Sequence, residues 1–291
     1  MKWSRYSPAI AVCLLVAGCG EEVKNDRVEW TVMGTVAALQ TRGSHIERDK
    51  ASPLVLAAAM GVTKDAEALL NAHDRNSELS RLAAFGEEWM LGHCGITAGH
   101  ELQVRPCYEA AFKLMRASGG AFNPRWRGPK TLDFGAIAKG FAVDAAAAAA
   151  AEAARGGEAD MLLDLGGNVK SLRGSWRTGV KDPGGRVFAA VVELHEGESL
   201  ATSATYYRGS HIYDGRTGGP VSNGVASVTV LCRSAMWADG LSTTLFVLGP
   251  DEGRAFLEAR QALLLGDDKV SVLWILSNGR QVKLDPDNRF H

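Results

Sequence analysis

The chain has no excess of charge of either sign. Its 291 residues carry 32 lysines and arginines against 33 aspartates and glutamates, a net charge of −1 with a pI near 6.7. Composition therefore supplies no general attraction to nucleic acid, and no nucleic-acid partner is expected. The apolar run at the N-terminus, Ala9 to Ala17, is too short to cross a bilayer, which takes about 20 residues of helix. Cysteines number five, and none stands in a CxxC or Cys/His spacing that suggests zinc. A GxGxxG fingerprint after a strand is missing, as is any long internal repeat. These absences exclude a classical dinucleotide fold, a zinc module and a solenoid. What remains is a globular chain, 46% hydrophobic and 22% charged, long enough to bury a large core.

The first residues read as a targeting segment. Lys2 and Arg5 precede the apolar run, which ends Leu15-Val-Ala-Gly-Cys19. That ending resembles the bacterial lipobox, in which the cysteine is lipidated and becomes the new N-terminus. The expected division is a signal peptide over 1–18, a polar tether over 19–28 and one folded domain over 29–291. Lipidation at Cys19 implies a lipid-anchored, periplasm-facing protein of the bacterial cell envelope. Gly20, where an aspartate would favour inner-membrane retention, tilts the expectation to the outer membrane. Cleavage and lipidation leave Cys94, Cys107 and Cys232, enough for one disulfide.

Along the domain, Glu29 to Leu39 alternates as a first strand, with Gly34 as a bulge or close-approach point. Ala51–Leu70 and Leu102–Ser118 carry helical spacing, and Asn76 to Leu82 is a capped entry to a short helix. Asp160–Leu165, Ser175–Lys181, Val187–Leu194, Ser199–Ser203 and Val225–Cys232 are strand candidates separated by glycine turns. Gly249-Pro250 divides two late helices, and Ser277-Asn278-Gly279 turns a hairpin over Val270–Leu284. Helices and antiparallel strands in this order make one α+β domain.

Three stretches can carry chemistry. In Thr131-Leu-Asp-Phe-Gly-Ala-Ile-Ala-Lys139 a strand end, a glycine turn and a helix N-terminus form a cradle for an anion, with Lys139 adding charge and Asp133 accepting hydrogen bonds. The helix runs on through an alanine-rich stretch to Ala154. In Met236-Trp-Ala-Asp-Gly-Leu-Ser-Thr243, Asp239 and Thr243 stand at i and i+4 on one helix face, hard oxygen donors suited to Mg²⁺, with Ser242 beside them. The glycine-rich loop Tyr206–Asn223 holds His211, a residue type able to take a proton near neutral pH.

Taken together, Thr31-Val-Met-Gly-Thr35, Leu132 to Asp144, Asp164-Leu-Gly-Gly-Asn168, Ala201-Thr-Ser203, His211 to Pro220 and Ala238 to Thr243 closely resemble the FAD:protein FMN transferases, the ApbE family. The resemblance implies an ApbE-like, T-fold-related α+β architecture, mixed sheets with packed helices and a flavin site between subdomains. It implies FAD as substrate and Mg²⁺ as cofactor. FAD contacts fall on Met33, on Ala121, Phe122 and Asn123, and on Asp133, Lys139 and Ile212. Metal ligands fall on the Ala136 carbonyl, Asp239 and Thr243, and His211 falls near the transferred phosphate. The implied reaction moves FMN to a threonine of an exported acceptor protein and releases AMP. Hydrolysis of FAD to FMN and AMP, or FAD binding without chemistry, are the alternatives. The chain departs from the family pattern in three places. Only Pro124–Thr131 separates Asn123 from Leu132, Ser242 stands where a second acid is frequent, and His73 stands near a position that is often aromatic.

Overall fold

The computed structural model describes residues 24–43, 53–85, 101–154, 159–205 and 212–291. Ten strands and five helices follow in the order β1 (Lys24–Val32), β2 (Thr35–Gly43), α1 (Pro53–Leu70), α2 (Glu78–Phe85), α3 (Glu101–Ala117), α4 (Ala138–Ala154), β3 (Asp160–Leu165), β4 (Asn168–Arg173), β5 (Trp176–Lys181), β6 (Phe188–Leu194), β7 (Ser199–Ala204), β8 (Val225–Cys232), α5 (Ala235–Leu265), β9 (Ser271–Leu276) and β10 (Gln281–Leu284). Eight strands form one antiparallel sheet, β1-β2-β3-β4-β7-β8-β9-β10, while β5 and β6 pair as a separate ribbon. The α+β expectation holds.

Strand alternation decides which face carries what. On β8, Val228, Val230 and Cys232 face the helices, whereas Leu231 faces away. On β9, Val272 and Trp274 face the helices, and Leu273 and Ile275 face away. The away-facing residues join Trp176, Val180, Val192 and Leu194, so the β5–β6 ribbon covers the second face. On the helix face, α1 and α4 cover the β1–β3 half through Val55, Ala59, Ala66, Ala142, Ala146 and Ala150. The other half packs under α3 and α5 through Tyr108, Phe112, Leu241 and Leu245. The alanine run of α4 thus combines high helix propensity with small side chains that let α1 and the sheet approach closely.

Several sequence expectations change here. Glu29–Leu39 is two strands joined by a tight turn, with Val32 paired to Thr35 and both Met33 (φ 51°) and Gly34 (φ 66°) left-handed. Strand β1 begins at Lys24 and pairs along its length with β2, so residues 24–28, assigned by composition to the tether, lie in the sheet. Thr131–Phe134 is extended but joins no strand. Asn168–Arg173, passed over in the sequence, is β4; the tight turn before it is as expected. The two late helices are continuous except for one break at Gly249 (φ 73°), followed by Pro250. Cys107 and Cys232 are free, buried thiols, and burial pushes both well above the ordinary thiol range. Cys19, Cys94 and His211 lie outside the described residues.

Candidate functional site

Helices α4 and α5 meet at their N-termini, and a glycine makes the meeting possible. A Cβ on Gly140 would lie 2.1 Å from the Ala235 carbonyl oxygen and 2.8 Å from Asp239 Cβ, so no larger residue fits. Across this contact each helix caps the other. Asp144, on α4, accepts from Ser234 Oγ (2.7 Å), Ala235 N (3.0 Å) and Met236 N (3.0 Å) at the start of α5. Lys170 Nζ sits 3.1 Å from the same carboxylate. Asp239, on α5, accepts from Gly140 N at 2.9 Å in the first turn of α4. Carboxylates at helix N-termini satisfy orphan amides and complement the dipole.

The anion cradle expected at α4 is smaller than the sequence suggested. Of the first three helical amides, Ala138 donates to the Phe134 carbonyl and Gly140 to Asp239, which leaves Lys139 N for a ligand. Lys139 Nζ donates to the Gly135 carbonyl (3.3 Å) and stands 3.7 Å from Asp239 Oδ1. Asp133 Oδ1 accepts from Gly135 N at 2.9 Å, which bends the chain into the helix. Gly135 has no positive φ; a Cβ there would lie 3.1 Å from Asp133 Oδ1, a tight contact.

The donor set at the junction suits a hard cation. The Gly140 amide is turned to Asp239, and the Ala136 carbonyl takes none of the bonds that open α4. Among the described residues Asp239 Oδ1 has only the long lysine contact, and Thr243 stands one turn further along the same face. Among the described residues no three His, Cys, Asp or Glu side chains cluster as a metal site. A cation here would be held by one carboxylate and neutral oxygens, the set for Mg²⁺ that keeps waters and meets phosphate. Ser242 does not present its hydroxyl as a ligand: it is fully buried and donates to the Asp239 carbonyl at 2.8 Å.

The flavin-contact expectations fall in and beside the helix-side core. Ala121 and Phe122 are buried in the core, so that segment offers a ligand its backbone and the half-buried Asn123. Asn123 Nδ2 donates to Gly215 O (3.2 Å), and Gly215 N donates to Ala121 O (3.1 Å), which straps the 212–220 loop to the segment. Ile212 is buried in the same core cluster. Met33 is half-buried against both helix-side clusters, and its amide donates to Glu67 Oε1 at 2.7 Å. A left-handed methionine is strained, and the Glu67 bond helps hold it. His73 is exposed in the turn after α1.

Residues to which the sequence reading gave no role also belong here. Trp126, in the short segment before Leu132, stacks on Tyr213 with ring centroids 4.1 Å apart, and its indole Nε1 donates to Asp133 Oδ2 at 3.3 Å. Arg127 lies over the Trp126 ring (4.7 Å to the centroid) and reaches Asp133 Oδ2 at 3.3 Å. Ser203, at the end of β7, lies within hydrogen-bond distance of both Ser242 Oγ (2.8 Å) and Thr243 Oγ1 (2.9 Å). A partly exposed tryptophan in an arginine- and proline-rich segment was the available signal for Trp126; the Ala-Thr-Ser motif was the signal for Ser203. A separate recess of about 480 Å³ near Arg233 shares none of these residues, and two ion pairs close within its lining, Arg289–Glu198 (2.6 Å) and Lys269–Asp287 (3.0 Å).

Comparison with known proteins fits this geometry. A family model, described as the ApbE family, matches residues 125–265, the stretch that contains α4, the turn Gly166-Gly167 and all of α5. Residues 125–265 thus resemble the ApbE family. The FAD:protein FMN transferase of Vibrio cholerae is 35% identical over 149 residues, covering 46% of this chain and 43% of that protein. That of Treponema pallidum is 35% identical over 153 residues, covering 43% of this chain and 40% of that protein. The matched part of this ApbE-like chain thus spans less than half the length of these curated relatives. The solved flavin transferase ApbE of Vibrio cholerae superposes with a TM-score of 0.70 at 21% identity, covering 90% of this chain and 97% of that one. The apbe protein of Thermotoga maritima gives 0.72 at 22% identity, covering 89% and 97%. The fold is that of ApbE across nearly the whole chain.

Proposed function

We propose that the protein transfers FMN from FAD to a threonine hydroxyl of an exported acceptor protein and releases AMP. The observation that carries this reading is the α4–α5 junction, where Asp239 takes the Gly140 amide and faces Lys139, inside the stretch that the ApbE family model matches. The name FAD:protein FMN transferase, borne by the relatives, supports the substrate.

The residues divide the work by their chemistry. Asp239, Thr243 and the Ala136 carbonyl hold a divalent cation, and Lys139 N and Nζ face the pyrophosphate. The cation, when bound, neutralises charge on the pyrophosphate and on the departing phosphate. Asn123, Met33 and Asp133 border the flavin, and the Trp126–Tyr213 stack fixes the loop on that side. The threonine oxygen bonds to the phosphorus on the FMN side, the bond from that phosphorus to the bridging oxygen breaks, and AMP leaves. His211 takes the hydroxyl proton. Cys19 anchors the protein by lipid to the envelope, facing the periplasm, where exported acceptors lie.

One incubation tests the reading. Purified protein is given FAD and Mg²⁺ with and without a threonine-bearing acceptor protein, and AMP and covalent flavin are measured. AMP with flavinylated acceptor is the expected result. AMP alone means hydrolysis, and bound FAD without AMP means a binding protein. His211→Ala is expected to bind FAD with near-normal affinity while transfer falls by about a hundred- to ten-thousand-fold, the usual worth of a general base. Transfer within a few-fold of the parent removes His211 from that role.

A further inference from the structure

We infer that Ser203 is a positioning residue that fixes the direction of a hydroxyl chain, so that Thr243 offers a cation only its lone pairs. The inference rests on the cation reading given above and goes beyond it, because Ser203 is not itself among the candidate ligands.

Three hydroxyls and one carbonyl stand in line: Thr243 Oγ1, Ser203 Oγ, Ser242 Oγ and the Asp239 carbonyl, at 2.9, 2.8 and 2.8 Å. A hydroxyl has one proton to donate. The carbonyl has none, so the proton in the last contact is that of Ser242. Ser242 has then no proton for Ser203, and the contact between them is made by the proton of Ser203. Ser203 has in turn none left for Thr243, so the contact there uses the proton of Thr243. The chain can run in one direction only. Its end in a main-chain carbonyl of α5, with Ser242 fully buried, shields that direction from water.

The consequence falls on the outer end of the chain. With its proton committed inward to Ser203, Thr243 keeps its lone pairs for an electron-pair acceptor and has no proton to oppose one. A threonine that shares a helix face with a carboxylate is ordinary; one whose proton is drawn away from that face is preset as a ligand. Without Ser203 the hydroxyl is released to bond the carbonyl four residues back, as Thr244 Oγ1 bonds Gly240 O at 2.8 Å. Outer partners that orient a metal ligand commonly change affinity by about 10- to 100-fold when removed.

The test is cation binding by the full chain, with Mn²⁺ as probe and free Mn²⁺ followed by electron paramagnetic resonance, beside a thermal melt of the metal-free protein. Ser203→Ala is expected to weaken Mn²⁺ binding at least about tenfold, and Ser203→Thr, which keeps the hydroxyl, to restore it. Ser242→Ala, two bonds removed from the cation, frees the Ser203 proton to turn on Thr243 and is expected to weaken binding by a few-fold. The double variant should bind no more weakly than Ser203→Ala, since the chain fails once. Equal affinity in Ser203→Ala and the parent, with only the melting temperature lowered, overturns the inference and leaves the cation reading standing. Failure of the parent to bind Mn²⁺ overturns both. If Ser203→Ala does not fold, Ser242→Ala decides: parental affinity there overturns the inference, and weaker binding supports it.

Discussion

Asp144 reaches from α4 to the first turn of α5, and Asp239 reaches from α5 to the first turn of α4. The two carboxylates lie on either side of one helix crossing, yet their surroundings differ. Asp144 accepts two amides and a hydroxyl and faces Lys170 at 3.1 Å, and that lysine is itself held by the Arg233 carbonyl at 2.6 Å. Among the described residues Asp239 accepts one amide, and its other oxygen has only a lysine at 3.7 Å. A carboxylate with every lone pair engaged secures a structure. One left partly open beside a cationic side chain is able to take a ligand. The same residue type at mirrored places is thus saturated at one end and open to a ligand at the other.

Substitution should separate the two roles. Asp144→Ala removes a cap of three hydrogen bonds and strands Lys170, so we expect a loss of about 3 kcal/mol, combining a helix-cap loss with a broken, partly buried ion pair. Urea unfolding measures it, and a loss below about 1 kcal/mol would mean that Asp144 is not the structural member of the pair.

A third carboxylate sharpens the contrast. Asp164 is buried beside the Gly166-Gly167 turn, and one amide, Gly167 N at 2.9 Å, donates to it. Burial pushes its acid up to about 6, against the Gly167 bond, which works the other way. Because the folded state holds this proton more tightly than the unfolded one, stability from this group is greatest below about pH 4. It declines as pH rises to about 6 and is flat above. Asp164→Asn keeps an acceptor for Gly167 and removes the charge, so the decline should vanish and stability at pH 7 should rise by roughly 1–2 kcal/mol. Denaturant titrations of parent and variant at pH 4, 5, 6 and 7 check the slope; an unchanged slope assigns it elsewhere.

A smaller loss than at Asp144 is expected from Asp239→Ala, roughly 1–2 kcal/mol, since the one buried amide of Gly140 loses its partner and Lys139 loses only a contact at 3.7 Å. Its effect on ligand binding should be the reverse: Mn²⁺ affinity and Mg²⁺-dependent AMP release are both expected to disappear. A variant that turns over FAD like the parent at limiting Mg²⁺ would remove Asp239 from the cation site.

The sequence by itself determined the periodic parts of this protein. Alternation in Val225–Cys232 and in Ser271–Leu276, the alanine run after Lys139 and the i, i+4 spacing of Asp239 and Thr243 are local properties, written in residue order. So is the ordered set of motifs that resembles the ApbE family, of which those from Leu132 to Thr243 lie in the matched stretch 125–265. The tertiary structure decided what those residues touch. Nothing in the order of residues shows that Gly140 must be small because Ala235, 95 positions later, places a carbonyl there, or that Asp144 and Asp239 cap each other's helices. Ser242 read as a candidate ligand because its neighbours do; only the packing of β7 against α5 shows its proton spent on its own helix and its oxygen turned to Ser203. Helix and strand follow from contacts within a few residues, but proton direction and open lone pairs depend on atoms that the fold brings together from distant parts of the chain.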